Sequence, residues 1–167
     1  MTVTSVHKDT DALAMTITAE FDAPIERVWQ LWDNPRQLEQ WWGPPTYPAT
    51  VVDHDLTPGG SVKYFMTGPE GDQHGGWWRV LARDAPRRLE FEDGFADADG
   101  VPNPDMPTTT IRVDLVEQPT GGTRMVIATT FSSLESMQQL VNMGMAEGMA
   151  AALGQIDDIL QAENAPR

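Results

Sequence analysis

The chain contains no cysteine. That excludes a disulfide scaffold, a thiol nucleophile, a thiolate zinc site and cysteine-ligated iron–sulfur clusters. Histidine is nearly as scarce: His7, His54 and His74 are the three present, and no His-x-x-x-His or His-Glu-x-x-His spacing joins them. No metal centre and no cofactor are expected on that basis. Positive charge is short too, with 11 Lys and Arg against 25 Asp and Glu and a net charge of −14. A surface of that sign repels phosphate backbones and anionic lipid, which argues against nucleic-acid binding and membrane-surface roles. Apolar runs are short, and none approaches the roughly 20 residues of a membrane span, so no membrane insertion is expected. The opening residues, Met-Thr-Val-Thr-Ser-Val-His-Lys-Asp, have neither a basic stretch nor an apolar one. No signal peptide is therefore expected, and the default location is the cytoplasm. There is no Gly-x-Ser-x-Gly elbow, P-loop or dinucleotide fingerprint; Gly59-Gly60 and Gly121-Gly122 read as turns.

What is present suits one compact domain. The chain has 167 residues, 40% of them hydrophobic, with six Trp and nine Met. Length and composition fit a single domain over residues 13–161, between polar tails at 1–12 and 162–167. Residues 15–21 alternate, with Met15, Ile17, Ala19 and Phe21 on one face, which predicts a half-buried strand. Asp22-Ala23-Pro24 ends it, with Asp22 suited to an N-cap and Pro24 to a first helical turn. Ile25, Val28, Trp29 and Trp32 follow at helical spacing. Asn34-Pro35 opens a second short helix, which Gly43-Pro44-Pro45 stops.

The middle predicts an antiparallel meander. Strands are expected at 50–56, around Val62, Tyr64 and Met66, at 76–82, around Leu89 and Phe91, from Thr109 to Leu115, and at 123–131. Residues 93–107 read as a long acidic loop. Asp97-Ala98-Asp99-Gly100 lacks the ligand spacing and terminal glutamate of a calcium loop, so a solvated loop is the better reading. Ser132 and Glu135 fit a capping box. After it Met137, Leu140, Val141, Met145, Met149, Leu153, Ile156 and Leu160 recur every three or four residues, predicting one helix from about 133 to 160. Gly144 and Gly148 fall on the same stripe, where missing side chains leave room either for close packing or for a ligand.

The order strand, two short helices, meander, long helix is a helix-grip arrangement, and the local motifs sharpen it. Phe21-Asp-Ala-Pro24-Ile-Glu-Arg-Val28-Trp29, then Trp32-Asp-Asn-Pro35-Arg-Gln-Leu38-Glu-Gln-Trp41-Trp42-Gly43-Pro44, resembles the opening of the SRPBCC (START-like) superfamily. Within it the resemblance is to the branch named after the activator of heat-shock-protein ATPase. Asp55-Leu56-Thr-Pro58-Gly59-Gly60, Gly76-Trp77-Trp78-Arg79-Val80-Leu81, Pro86-Arg-Arg-Leu89, Gly122-Thr123-Arg124-Met125 and Gly144-Met145-Ala-Glu147-Gly148-Met149 resemble its later signatures. The resemblance spans residues 15–160. It implies an α+β helix-grip fold: a curved antiparallel sheet of six or seven strands around the long C-terminal helix, enclosing a mostly apolar cavity. Members bind lipids, sterols, polyketides or hormones, act as cyclases or hydrolases, or serve as co-chaperone domains, and fold alone does not choose among these.

The aromatic and methionine residues carry the functional signal. Tyr64, Met66, Trp78 and Phe91 share strand parity, and Met145, Gly148 and Met149 share the helix stripe facing them. Trp41 and Trp42 correspond to the cavity mouth of the family. These nine residues are the expected ligand-binding set, bulky and adaptable as apolar sites require. Tyr64 and the Trp indole N–H groups could orient a ligand. His54, flanked by Asp53 and Asp55, reads as structural. No catalytic constellation is recognisable, and no buried carboxylate is evident from the pattern. The expected partner is a small apolar molecule, ahead of an enzyme of cyclase or hydrolase type in the same cavity. A homodimer and a chaperone partner remain open. The chaperone ranks third, because this chain has no room for the additional N-terminal domain of the eukaryotic activator.

Overall fold

The computed structural model of the chain describes residues 3–97 and 99–164. Apolar alternation builds the sheet. In β2 (Ala14–Phe21) burial alternates residue by residue. The same period in β7 (Thr109–Glu117) and β8 (Thr123–Phe131) turns Ile111, Val113, Leu115, Met125, Ile127 and Phe131 inward. With β1 (Val3–Asp9), β3 (Ala49–His54), β4 (Ser61–Thr67), β5 (Gln73–Asp84) and β6 (Arg88–Ala96), they form one eight-stranded antiparallel sheet, ordered β1-β2-β8-β7-β6-β5-β4-β3. Register shifts in β3 and β5 mark bulges that help the sheet curve.

The sheet exceeds the expected six or seven strands because residues 3–9 form β1 and are not a tail. β1 pairs with β2, Val6 opposite Ile17 and Lys8 opposite Met15. It is an edge strand whose middle residues are all exposed, so it carries no apolar alternation. Asp9 makes the turn to β2, its Oδ1 accepting from the Asp11 and Ala12 N–H groups at 3.0 Å. Residues 162–164 likewise belong to the last helix. Residues 10–12 lie in the turn, and the rest of both expected tails, 1–2 and 165–167, lies outside the described residues.

Pro24, at the N-cap, starts α1 (Ile25–Asp33), and no side chain caps it, Asp22 included. Asn34 caps α2 (Pro35–Leu38) by accepting from Arg36 N–H at 2.9 Å, with Pro35 in the first turn. α2 also fastens the outer strand β3: Arg36 Nη2 donates to the Val51 carbonyl at 2.8 Å, and Glu39 accepts from Val51 N–H at 3.0 Å.

The predicted C-terminal helix is broken. It consists of α3 (Leu134–Asn142) and α4 (Met145–Asn164). Ser133, and not Ser132, is the cap, accepting from Ser136 N–H at 3.1 Å. Gly144 makes the break with a φ of +90°, a conformation that costs other L-residues about 1–2 kcal/mol. The apolar spacing continues through this point, so periodicity alone shows no interruption. α1 packs on β7, α3 on β8, and α4 on β1 and β2. Their buried faces meet the concave side of the sheet in one core.

Gly144→Ala should lower stability by about 1–2 kcal/mol, although nothing lies within 4 Å of where its Cβ would sit. Urea unfolding measures this. An unchanged or raised midpoint would mean that the break is no fixed feature of the backbone.

Candidate functional site

A cavity of about 250 Å³ lies between β4, β6 and β7 on one side and the α3–α4 break on the other. Of the expected residues it is lined by Trp42, Tyr64, Met66, Met145, Gly148 and Met149. Leu140, Met143, Gly144, Phe95, Pro44, Pro107 and Thr109 complete most of the wall. Trp41, Trp78 and Phe91 do not reach it. Each is fully buried behind it, covered by neighbouring rings. Trp78 stacks on Phe91 with centroids 4.0 Å apart, and Trp42 meets Trp78 edge-on at 4.8 Å. Trp41 packs on Trp32 at 4.7 Å and donates from its indole to the Leu31 carbonyl at 3.0 Å. Gln155 of α4 donates to the Gly43 carbonyl at 2.6 Å, tying that helix to the segment carrying Trp41 and Trp42.

Two further residues enter the wall from β6, Asp93 and Gly94. Asp93 does not lie in the acidic loop expected over residues 93–107. It belongs to β6, opposite Trp78 on β5 and Thr109 on β7. Period two from Leu89 through Phe91 carries it inward, and that was the signal available; the loop-like composition after it hid the strand. Acidic loop character begins at Asp97, whose Oδ1 accepts from the Asp99 and Val101 N–H groups at 2.9 Å.

Tyr64 donates its hydroxyl to Asp93 Oδ1 at 3.2 Å. The pair owes its position to Gly76, opposite Tyr64 on β5. A Cβ at Gly76 would run into the Tyr64 ring, so only a bare backbone lets the ring lie across β5 toward β6. Gly94 does the same on the other face for Trp77, whose ring atoms a Cβ would meet at 2.6 Å. The Trp77 indole donates to the Phe95 carbonyl at 3.1 Å.

Asp93 is half-buried, in the wall of a mostly apolar cavity. Burial pushes its carboxyl up to about 7, against the opposing pull of the Tyr64 hydroxyl, the Trp78 indole and the Gly94 N–H. Burial, then the Asp93 charge, pushes the Tyr64 hydroxyl well above its usual range, so it stays protonated as a donor. The indole nitrogens of Trp42 and Trp78 are buried and complete no hydrogen bond, yet both lie near enough to favour the anionic form of Tyr64, as Trp78 does that of Asp93. The floor of an otherwise apolar cavity is thus one carboxyl and one phenol with under-used donors behind them.

His54 and His74 lie away from the cavity wall. His54 bonds through Nε2 to the Trp32 carbonyl at 3.0 Å, joining β3 to α1, and His74 pairs with Asp72 at 2.7 Å on the surface. Among the described residues, no group of three or more His, Asp or Glu is arranged to hold a metal ion. Nor is any helix among them long and apolar enough to cross a membrane.

The family model described as "Activator of Hsp90 ATPase homolog 1-like protein" matches residues 22–161. The crystal structure of Ms6760 from Mycobacterium smegmatis is 52% identical and superposes with a TM-score of 0.88, over 95% of this chain and 96% of that one. A solution structure of a protein from Arthrobacter aurescens is 51% identical with a TM-score of 0.92, over 96% of this chain and 93% of that one. An AHSA1 protein from Silicibacter pomeroyi, 20% identical with a TM-score of 0.70 over 90% of this chain and 99% of that one, shares the fold. No curated protein matches the sequence.

Asp93 holds its proton in the folded chain up to about pH 7, whereas an unfolded aspartate releases it near 3.8. Between those values the folded state binds more protons, so this group's contribution falls as pH rises. Asp93→Asn should therefore gain stability relative to the parent from about pH 5 to pH 8. About two pK units of that rise lie between pH 5 and pH 7 and correspond to about 3 kcal/mol; solvent in the cavity reduces this to about 1–2 kcal/mol. Urea unfolding at both pH values measures it, and a pH-independent difference would place Asp93 in ordinary solvent.

Proposed function

The chain belongs to the activator of Hsp90 ATPase homolog 1-like family, and we propose that it binds a small apolar, aromatic molecule in the cavity between sheet and helices. The observation that supports this most is the wall itself. Aromatic rings, thioethers and backbone glycine surround about 250 Å³ of space, and a Cβ on Gly148 would have nothing within 4 Å. Cavities of about 150 Å³ with apolar walls stay dry and accept benzene, while sites for drug-sized ligands run from about 300 to 1,000 Å³. A one- or two-ring molecule fits this range better than a sterol or a lipid. Methionine suits such a site because its unbranched chain adjusts to the occupant. A cytoplasmic setting belongs to the same proposal.

A second reading has one observation in its favour. The Tyr64–Asp93 pair puts a carboxyl of near-neutral pKa and a phenol donor on the cavity floor, a combination able to move protons for a cyclase or hydrolase. A chaperone partner ranks third, supported by the family description alone.

Indole at a hundredfold excess over its dissociation constant should stabilise the protein by about 2.7 kcal/mol. For a domain of this size that raises Tm by about 5–10 °C. Gly148→Leu should fold with an unchanged or higher Tm, since helix propensity improves, and should lose the indole effect. No shift from indole or comparable aromatic probes in the parent, together with unfolding of Gly148→Leu, would mean that the space is packed core.

A further inference from the structure

We infer that the cavity is built for a cationic ligand, a small aromatic or arylalkyl amine whose ammonium pairs with Asp93 while its ring lies among Trp42, Tyr64 and the methionines. This rests on the cavity being a ligand site and adds the charge of the occupant. Among the described residues Asp93 is the one carboxylate of the cavity wall, and no Lys, Arg or His lines it. Tyr64 from β4 reaches the carboxyl, Trp78 on β5 and Thr109 on β7 are its cross-strand neighbours, and the α3–α4 segment brings uncharged methionines to the same cavity. A carboxyl in such surroundings lacks the counter-charge that normally accompanies burial. Its hydrogen bond from the Tyr64 hydroxyl is long at 3.2 Å, against about 2.5–3.0 Å for an O–H donor. An ammonium would supply both the charge and the missing donors. Electron-rich rings and polarisable sulfur on the same wall favour a cation further. The net charge of −14 concentrates cations and repels carboxylate-bearing competitors.

The test compares 2-phenylethylamine with 2-phenylethanol, near-isosteric probes that differ in charge, by calorimetry on the full chain. At pH 8, with Asp93 ionised, the amine should bind about tenfold tighter or more. Its affinity should weaken toward pH 5.5 as Asp93 takes up a proton, while that of the alcohol stays level. Asp93→Asn should erase the preference and the pH dependence without abolishing binding of the alcohol. Equal affinities in the parent, or a preference that survives Asp93→Asn, would overturn the inference while leaving the apolar site in place. Binding of neither probe would overturn both.

Discussion

Trp78, stacked on Phe91 at 4.0 Å and met edge-on by Trp42 at 4.8 Å, is the contact on which the rest of the molecule leans. It joins two sheet strands to the segment after α2, a stretch whose Gly43-Pro44-Pro45 sequence cannot hold itself in a helix. Trp32 extends the cluster to α1, with Trp41, Trp42 and Trp78 at 4.7, 5.8 and 6.0 Å. Aromatic pairs of this kind contribute about 0.5–1.5 kcal/mol beyond the area they bury. The cavity therefore has a stiff wall of interlocked rings on one side. On the other side it has a helix break and flexible methionines, which move more easily. A space enclosed this way can persist without collapsing and still adapt to what enters it.

The polar floor follows from the same geometry. Trp78 and Asp93 are cross-strand neighbours, so the ring cluster that excludes water from the back also withdraws it from the carboxyl. Gly76 lets the Tyr64 ring lie flat enough to reach that carboxyl. Backbone, aromatic and ionisable residues thus act in series. A glycine positions a phenol, the phenol addresses an acid, and burial beside the ring cluster decides how much charge the acid carries. Charge in so apolar a setting is tolerated only where something meets it, and this couples the electrostatics of the site to its occupant.

Much of this architecture was legible in the residues. Strict alternation marked β2, β7 and β8, and Asn34-Pro35 marked α2 through a cap that requires no tertiary contact. β1 was illegible because a solvated edge strand buries almost nothing and so writes no apolar pattern. The break at Gly144 was illegible because Val141 and Met145 keep helical spacing across it, and a positive φ leaves no trace in periodicity. At the site, parity found the residues that face inward but not which of them meet space: Trp78 and Phe91 point the right way and are covered by Trp42 and Trp32. Asp93 was missed for the opposite reason. Its neighbours look like loop, yet two steps along the strand from Phe91 put it on the cavity floor.

The most direct measurement uses the methionine methyl groups as reporters, by carbon–proton correlation spectra of methyl-labelled protein titrated with indole. Met66, Met143, Met145 and Met149 line the cavity, whereas Met15, Met125 and Met137 are buried in the core away from it. Saturable shifts confined to the first group are expected. Equal shifts in both groups, or none in Met145 and Met149 while indole binds, would contradict a ligand site between the sheet and the helix break.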